Sequence, residues 1–169
     1  MIYLKSALDI TPTEAVRLEI IRACADDLEE ILELQRLAFY EVGVRYNDPD
    51  TTPLPQTLNE LVEESENQTF LKAVHGGKII GAVRGRLDGK KCIVSKVMVH
   101  PDHQNKGIGR KLMNAIEKEF DVDVFELRTG HLDSITISLY QKLGYKLTGE
   151  KERISDTLWF VRMRKEKIR

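Results

Sequence analysis

The chain has 169 residues, 41% hydrophobic and 31% charged, with 26 basic residues against 27 acidic ones and a net charge of -1. At about 100 to 200 residues per domain this length implies one globular domain; the hydrophobic share argues against disorder, and the near-neutral balance leaves no field for a polyanion such as DNA. The two cysteines, Cys24 and Cys92, lie far apart without C-x-x-C spacing, which argues against a zinc cluster or disulfide framework and for a reducing, cytoplasmic setting. No stretch approaches the ~18 apolar residues that span a bilayer, so neither membrane insertion nor secretion is expected.

Residues 1–17 read as an extended arm with a Thr11-Pro12-Thr13 turn, an N-terminal extension to a domain at 18–169. Residues 18–22 suit a strand. Ala25-Asp26-Asp27, with Glu29 and Glu30 behind, reads as a helix start with a capping box, and Leu28, Ile31, Leu32, Leu37 and Ala38 recur at helical spacing to about Tyr40. Residues 46–55 hold three of the chain's five prolines and predict a loop, and 57–67 predict a short acidic helix. Strands at 69–74, 79–87 and 92–99, joined by His75-Gly76-Gly77-Lys78 and Asp88-Gly89, form an antiparallel meander. An amphipathic helix at 107–120 leads to a strand at 122–128. Asp133 then caps a helix ending at Leu143 with Gly144 as its stop, and strands follow at 145–150 and 158–163.

This order predicts an α/β domain: a mixed, mostly antiparallel sheet of about six or seven strands with one parallel pair and helices on both faces. A ligand is expected beyond the carboxyl ends of the parallel pair, near Val99 and Arg128. The segment that follows the first of those strands carries the densest chemical signal. Gly107-Ile108-Gly109 opens a helix, where close backbone approach, free N–H groups and the positive dipole end make an anion cradle, with Lys106, Arg110 and Lys111 adding charge. The spacing fits neither a P-loop nor the dinucleotide fingerprint, since position 112 is Leu.

Gln104-Asn105-Lys106-Gly107-Ile108-Gly109, preceded by Val99-His100-Pro101, resembles the acetyl-CoA motif of the GNAT superfamily of N-acetyltransferases. Leu139-Tyr140-Gln141-Lys142-Leu143-Gly144-Tyr145 is similar to its second signature. The resemblance covers about residues 18–165. It implies a single-domain GNAT fold that uses acetyl-CoA as co-substrate and acetylates a primary amine of a small molecule or protein by direct attack in a ternary complex. It further implies that backbone groups of Val97, Met98 and Val99 pair with pantetheine. The pyrophosphate would rest on amides from Gln104, Asn105, Lys106, Gly107, Ile108, Gly109 and Arg110, and Tyr140 would be the acid for the leaving thiolate.

The family often has a carboxylate before V-x-P, but residues 93–97 hold none, so His131, with Glu126 as the other nearby group, is the candidate base. Asp133 stands where the family often has Asn, and helix capping accounts for it. Asp48, Asp50, Glu60, Glu63 and Glu64 either attract a cationic amine or form a solvated acidic face. Arg84, Arg86 and Lys96 either meet a substrate carboxylate or line the solvent face of the sheet. His75, His100 and His103 lack metal-ligand spacing, so no metal is expected. The rival readings are a non-catalytic acyl-CoA sensor and nucleic-acid binding through the basic segment 162–169; a homodimer could form through the arm or the last strand.

Overall fold

Adjacent strand residues face opposite ways, and on the central strands of this chain both directions are apolar: Phe70 and Leu71, Ile79 and Ile80, Ala82 and Val83 are all buried. Such a pattern requires a sheet covered on both faces. The computed structural model, which describes residues 17–50 and 54–168, has that form. The expected N-terminal arm, apart from Arg17, and residues 51–53 of the expected proline-rich loop lie outside the described residues.

The strands are β1 (Glu19–Arg22), β2 (Thr69–His75), β3 (Lys78–Asp88), β4 (Lys91–Val99), β5 (Val124–Gly130), β6 (Lys146–Arg153) and β7 (Trp159–Glu166). They form one sheet in the order β1-β2-β3-β4-β5-β7-β6, antiparallel throughout except for the β4–β5 pair. The helices are α1 (Leu28–Tyr46), α2 (Leu58–Glu66), α3 (Ile108–Lys118) and α4 (Ser134–Lys142). Leu71, Ile80 and Val83 pack with Leu112, Met113 and Ile116 of α3. Phe70, Ile79 and Ala82 face the other way, onto Leu28, Ile31 and Leu32 of α1 and Leu61 of α2. Close approach of the sheet to the end of α3 requires Gly85, where an added Cβ would lie 2.6 Å from the Phe120 ring. Among the described residues no helix is long and apolar enough to cross a membrane.

Three details depart from the sequence expectation. Helix α1 continues past Tyr40 to Tyr46 because Gly43 and Tyr46 extend its buried stripe, and it ends at Asn47 in a left-handed conformation (φ 49°). Its start is a 3-10 turn, Ala25–Asp27, where the Cys24 N–H donates to the Asp27 carboxylate at 2.7 Å, so Glu29 and Glu30 do not form the expected box. The last strand, β7, lies between β5 and β6 and has no free edge; the edge on that side of the sheet is β6, exposed along its length. A dimer through the last strand therefore loses its basis.

A buried cation ties the α1–α2 layer to the sheet. Arg84 on β3 is fully buried; it donates to Glu64 at 2.8 Å and to Gln35, and its guanidinium lies 4.6 Å from the Phe70 ring centroid. Gln56 bridges Gln35 and Glu64 at 2.9 and 2.7 Å. Arg84 is thus neither on a solvent face nor available to a substrate. Glu64→Ala strands this guanidinium and is expected to lower the unfolding free energy by about 3 kcal/mol. Glu119→Ala, which removes the partner of exposed Arg22, is expected to cost less than ~1 kcal/mol. Urea titrations of the two variants check the contrast, and equal losses would contradict it.

Candidate functional site

Strands β4 and β5 separate soon after they pair. Their parallel ladder holds only Lys91↔Val124, Cys92↔Phe125 and Ile93↔Glu126. Beyond it β4 stays with β3 as far as Val99 and β5 stays with β7 as far as Gly130, so a gap opens between them. A β-bulge lies on its β4 side. Ala82 pairs with Met98 and Arg84 with Ser95, leaving Lys96 and Val97 together opposite Val83, and Lys96 takes a φ of 51°. After the bulge the His100 N–H donates to the Ile80 carbonyl at 2.8 Å. Strand alternation then turns the peptide groups of Val97 and Val99 away from β3 and into the gap.

The turn after β4 is fastened to it. The Gln104 side chain donates to the Val99 carbonyl at 3.2 Å, and Lys106 donates to the Asp102 carbonyl at 3.1 Å. Asn105 (φ 60°) and Gly107 (φ 80°) are both left-handed, which curls the backbone into a concave turn just before α3. The first amides of α3 have no intrahelical acceptor and sit at the positive end of the helix dipole. An extended chain with an anionic end fits this arrangement: its amides can pair along Val97–Val99 and its phosphates can rest on the turn.

Gap and turn together form a cavity of about 890 Å³. Val97, Met98, Val99, Gln104, Asn105, Gly107, Ile108, Gly109 and Arg110 all line it, and only Lys106 of the expected binding set does not. Tyr140, on α4, lines it as well, 6% exposed, and its hydroxyl has no hydrogen-bond partner among the described residues. Burial, with the nearby Asp133 charge, pushes that hydroxyl above the ordinary tyrosine range, so it stays protonated. His131 is elsewhere: its Nδ1 accepts the Trp159 N–H at 3.2 Å, which fixes the ring to β7 and off the cavity wall. Glu126 is also spoken for, bound to Lys91 at 2.7 Å and facing Arg164.

Asp133 departs from its expected role. It stands at the α4 N-terminus but makes no side-chain cap; its carboxylate is bonded to Arg45 of α1. Arg45, with Ala38, Phe39 and Val42, forms the α1 wall of the cavity. The helical spacing of these residues was visible in the sequence, but ending the helix near Tyr40 hid it. Asp48, Asp50, Glu60, Glu63 and Glu64 do not line the cavity, and neither do Arg84 or Arg86; Lys96 does. The charged lining is basic overall: Arg45, Lys96, Arg110, Arg128 and Lys142 against Glu41 and Asp133. Among the described residues no cluster of His, Cys, Asp or Glu could hold a metal.

Comparison with known proteins agrees with this geometry. A family model for the acetyltransferase (GNAT) domain matches residues 43–167. Acetyltransferase SG1711 of Sodalis glossinidius (strain morsitans) is 28% identical over 126 residues, which is 72% of this chain and 82% of that protein. The PaiA N-acetyltransferase of Thermoplasma acidophilum, solved with coenzyme A, superposes with a TM-score of 0.68 at 21% identity, covering 89% of this chain and 99% of that one. YncA of Salmonella typhimurium, a putative acetyltransferase solved with acetyl-CoA, gives 0.68 at 21% identity over 89% and 94%. At such identity the solved structures bear on the fold.

Burial, followed by the charge of Arg84, lowers the Lys96 ammonium from its ordinary 10.5 to about 8; Glu64 opposes this in part, and Arg128 adds a smaller lowering effect. In the unfolded chain this lysine titrates near ~10.4, so between about pH 8 and 10 unfolding takes up a proton and stability from this group rises with pH. Lys96→Met is therefore expected to be more stable than wild type at pH 7, with the advantage shrinking toward pH 10. Urea midpoints at the two pH values measure this, and a variant no more stable at pH 7 would contradict it.

Proposed function

The chain belongs to the GNAT acetyltransferase family, and on that premise we propose that it transfers an acetyl group from acetyl-CoA to a primary amine within a ternary complex. One observation carries the proposal: Val97 and Val99 beyond the end of the parallel ladder, Tyr140 and the residues that open α3 all line one cavity. The fold neighbours solved with coenzyme A and acetyl-CoA support the choice of co-substrate.

The chemistry follows from that arrangement. A neutral amine attacks the thioester carbonyl carbon; the C–N bond forms, the C–S bond breaks, and the nitrogen loses its proton to solvent. Negative charge develops first on the carbonyl oxygen, where an N–H of Val97 or Val99 is the available donor. It then passes to sulfur. A thiol is intrinsically more acidic than a tyrosine, about 8.5 against about 10, and burial widens that difference here. Tyr140 therefore stabilises the thiolate by hydrogen bonding more readily than by surrendering its proton. No carboxylate on β4 is needed to keep the acceptor amine neutral, because the cations around the cavity disfavour its ammonium form.

Tyr140→Phe is expected to lower kcat by about 100-fold while leaving the Kd for acetyl-CoA within about twofold. CoA-thiol release over pooled amines, with calorimetric binding of acetyl-CoA alongside, is the measurement. Unchanged turnover would remove Tyr140 from the mechanism. Acetyl-CoA binding with no amine-dependent release from any pool would replace the enzyme with a non-catalytic acyl-CoA sensor.

A further inference from the structure

Lys96 is an expensive residue for its position. A non-glycine residue at φ 51° sits in the left-handed region at a cost of order 1 kcal/mol. Its half-buried ammonium lines the cavity and has neither a hydrogen bond nor an ion-pair partner among the described residues. A charge withdrawn from water without a counter-ion is unfavourable unless something else supplies that ion. The charges that act on it come from three elements: Arg84 on β3 and Arg128 on β5 repel it, and Glu64 on α2 attracts it. Glu64, however, is already bonded to Arg84 and Gln56.

The other cations of the lining have different placements. Arg45 is bonded to Asp133 and Arg128 to Glu152. Arg110 lies in the first turn of α3 and Lys142 at the end of α4, on the two helices beside the phosphate-cradling turn. Lys96 instead lies at the throat of the gap, a few residues beyond the last parallel pair, Ile93↔Glu126. Lys96 also directly precedes the Val97–Val99 segment against which the thioester would lie. An anion placed here is close to the reacting centre and distant from the phosphates.

Resting on the acetyl-transfer proposal above, we propose that Lys96, at the throat of the gap, is an anion subsite for the acceptor, and that the acceptor is an amine carrying a carboxylate close to its amino group. The subsite fixes the acceptor through its carboxylate and presents the neighbouring amine to the thioester. Because Lys96 loses its proton near pH 8, the contribution of the carboxylate to binding falls as the pH rises above that value.

Matched probes test this: L-amino acids against the amines that lack only their carboxylate. Calorimetric binding to the CoA-saturated protein and kcat/KM for CoA release are read for each pair. In at least one pair the carboxylate-bearing member is expected to be favoured by about tenfold or more, with the difference in KM. The preference collapses to below about threefold in Lys96→Met and is retained in Lys96→Arg, with melting temperatures showing both variants folded. A preference that survives in Lys96→Met, or a wild type that favours the carboxylate in no pair by either readout, overturns the subsite. Equal binding and equal turnover of both members in every pair do so while leaving acetyl transfer intact. Lys96-dependent, carboxylate-selective binding without turnover sustains the subsite and defeats the transfer proposal.

Discussion

The early end of the parallel ladder is the constraint on which the site depends. Had β4 and β5 stayed paired beyond Ile93↔Glu126, the peptide groups of Val97 and Val99 would be spent on the sheet and the cavity would close. A peptide group left without a partner in a dry interior costs about 1–3 kcal/mol, so the gap is tolerable only where solvent or a ligand reaches it. Two features keep it open. The bulge at Lys96 and Val97 bends β4 away, and packing on both faces of the sheet, α3 on one and α1 with α2 on the other, holds the splayed strands against collapse.

Charge placement follows the same geometry. Arg84 is fully buried, with its two terminal nitrogens held by Glu64 and Gln35, so it acts as a fixed positive charge beside the site while locking α1 and α2 to β3. Lys96 lies above it at the bulge, where it experiences that charge without a counter-ion of its own. Asp133, by pairing with Arg45, connects the C-terminal end of α1 to the start of α4. Its charge also helps to keep the Tyr140 hydroxyl protonated. Structural ion pairs and candidate catalytic groups therefore form one electrostatic arrangement.

Much of this was legible in the sequence because it is local. Strand-like runs separated by glycine-containing turns predict the meander, and Val99 followed by the Gln104 to Gly109 motif locates the turn. Tyr140 was identifiable from its place in the motif, and the structure puts it on the same cavity. What was not legible depends on contacts between distant segments. Nothing in residues 93–97 announces a bulge, since a left-handed Lys96 has no side-chain signature, and Asp133 carries the ordinary mark of a helix cap while its carboxylate goes to Arg45 across the cavity. His131 follows β5 directly, but the structure holds its ring against Trp159, which is adjacent only through strand pairing, and the cavity wall does not include it.

The central claim is that acetyl-CoA lies in the gap between β4 and β5 with its phosphates on the turn into α3. Amide hydrogen exchange of the full chain, with and without saturating acetyl-CoA, tests it without reference to any acceptor. Slower exchange concentrated at Val97, Val99 and the amides of residues 104–110 is the predicted result. Protection confined to other segments, or none at concentrations where calorimetry shows binding, would contradict it.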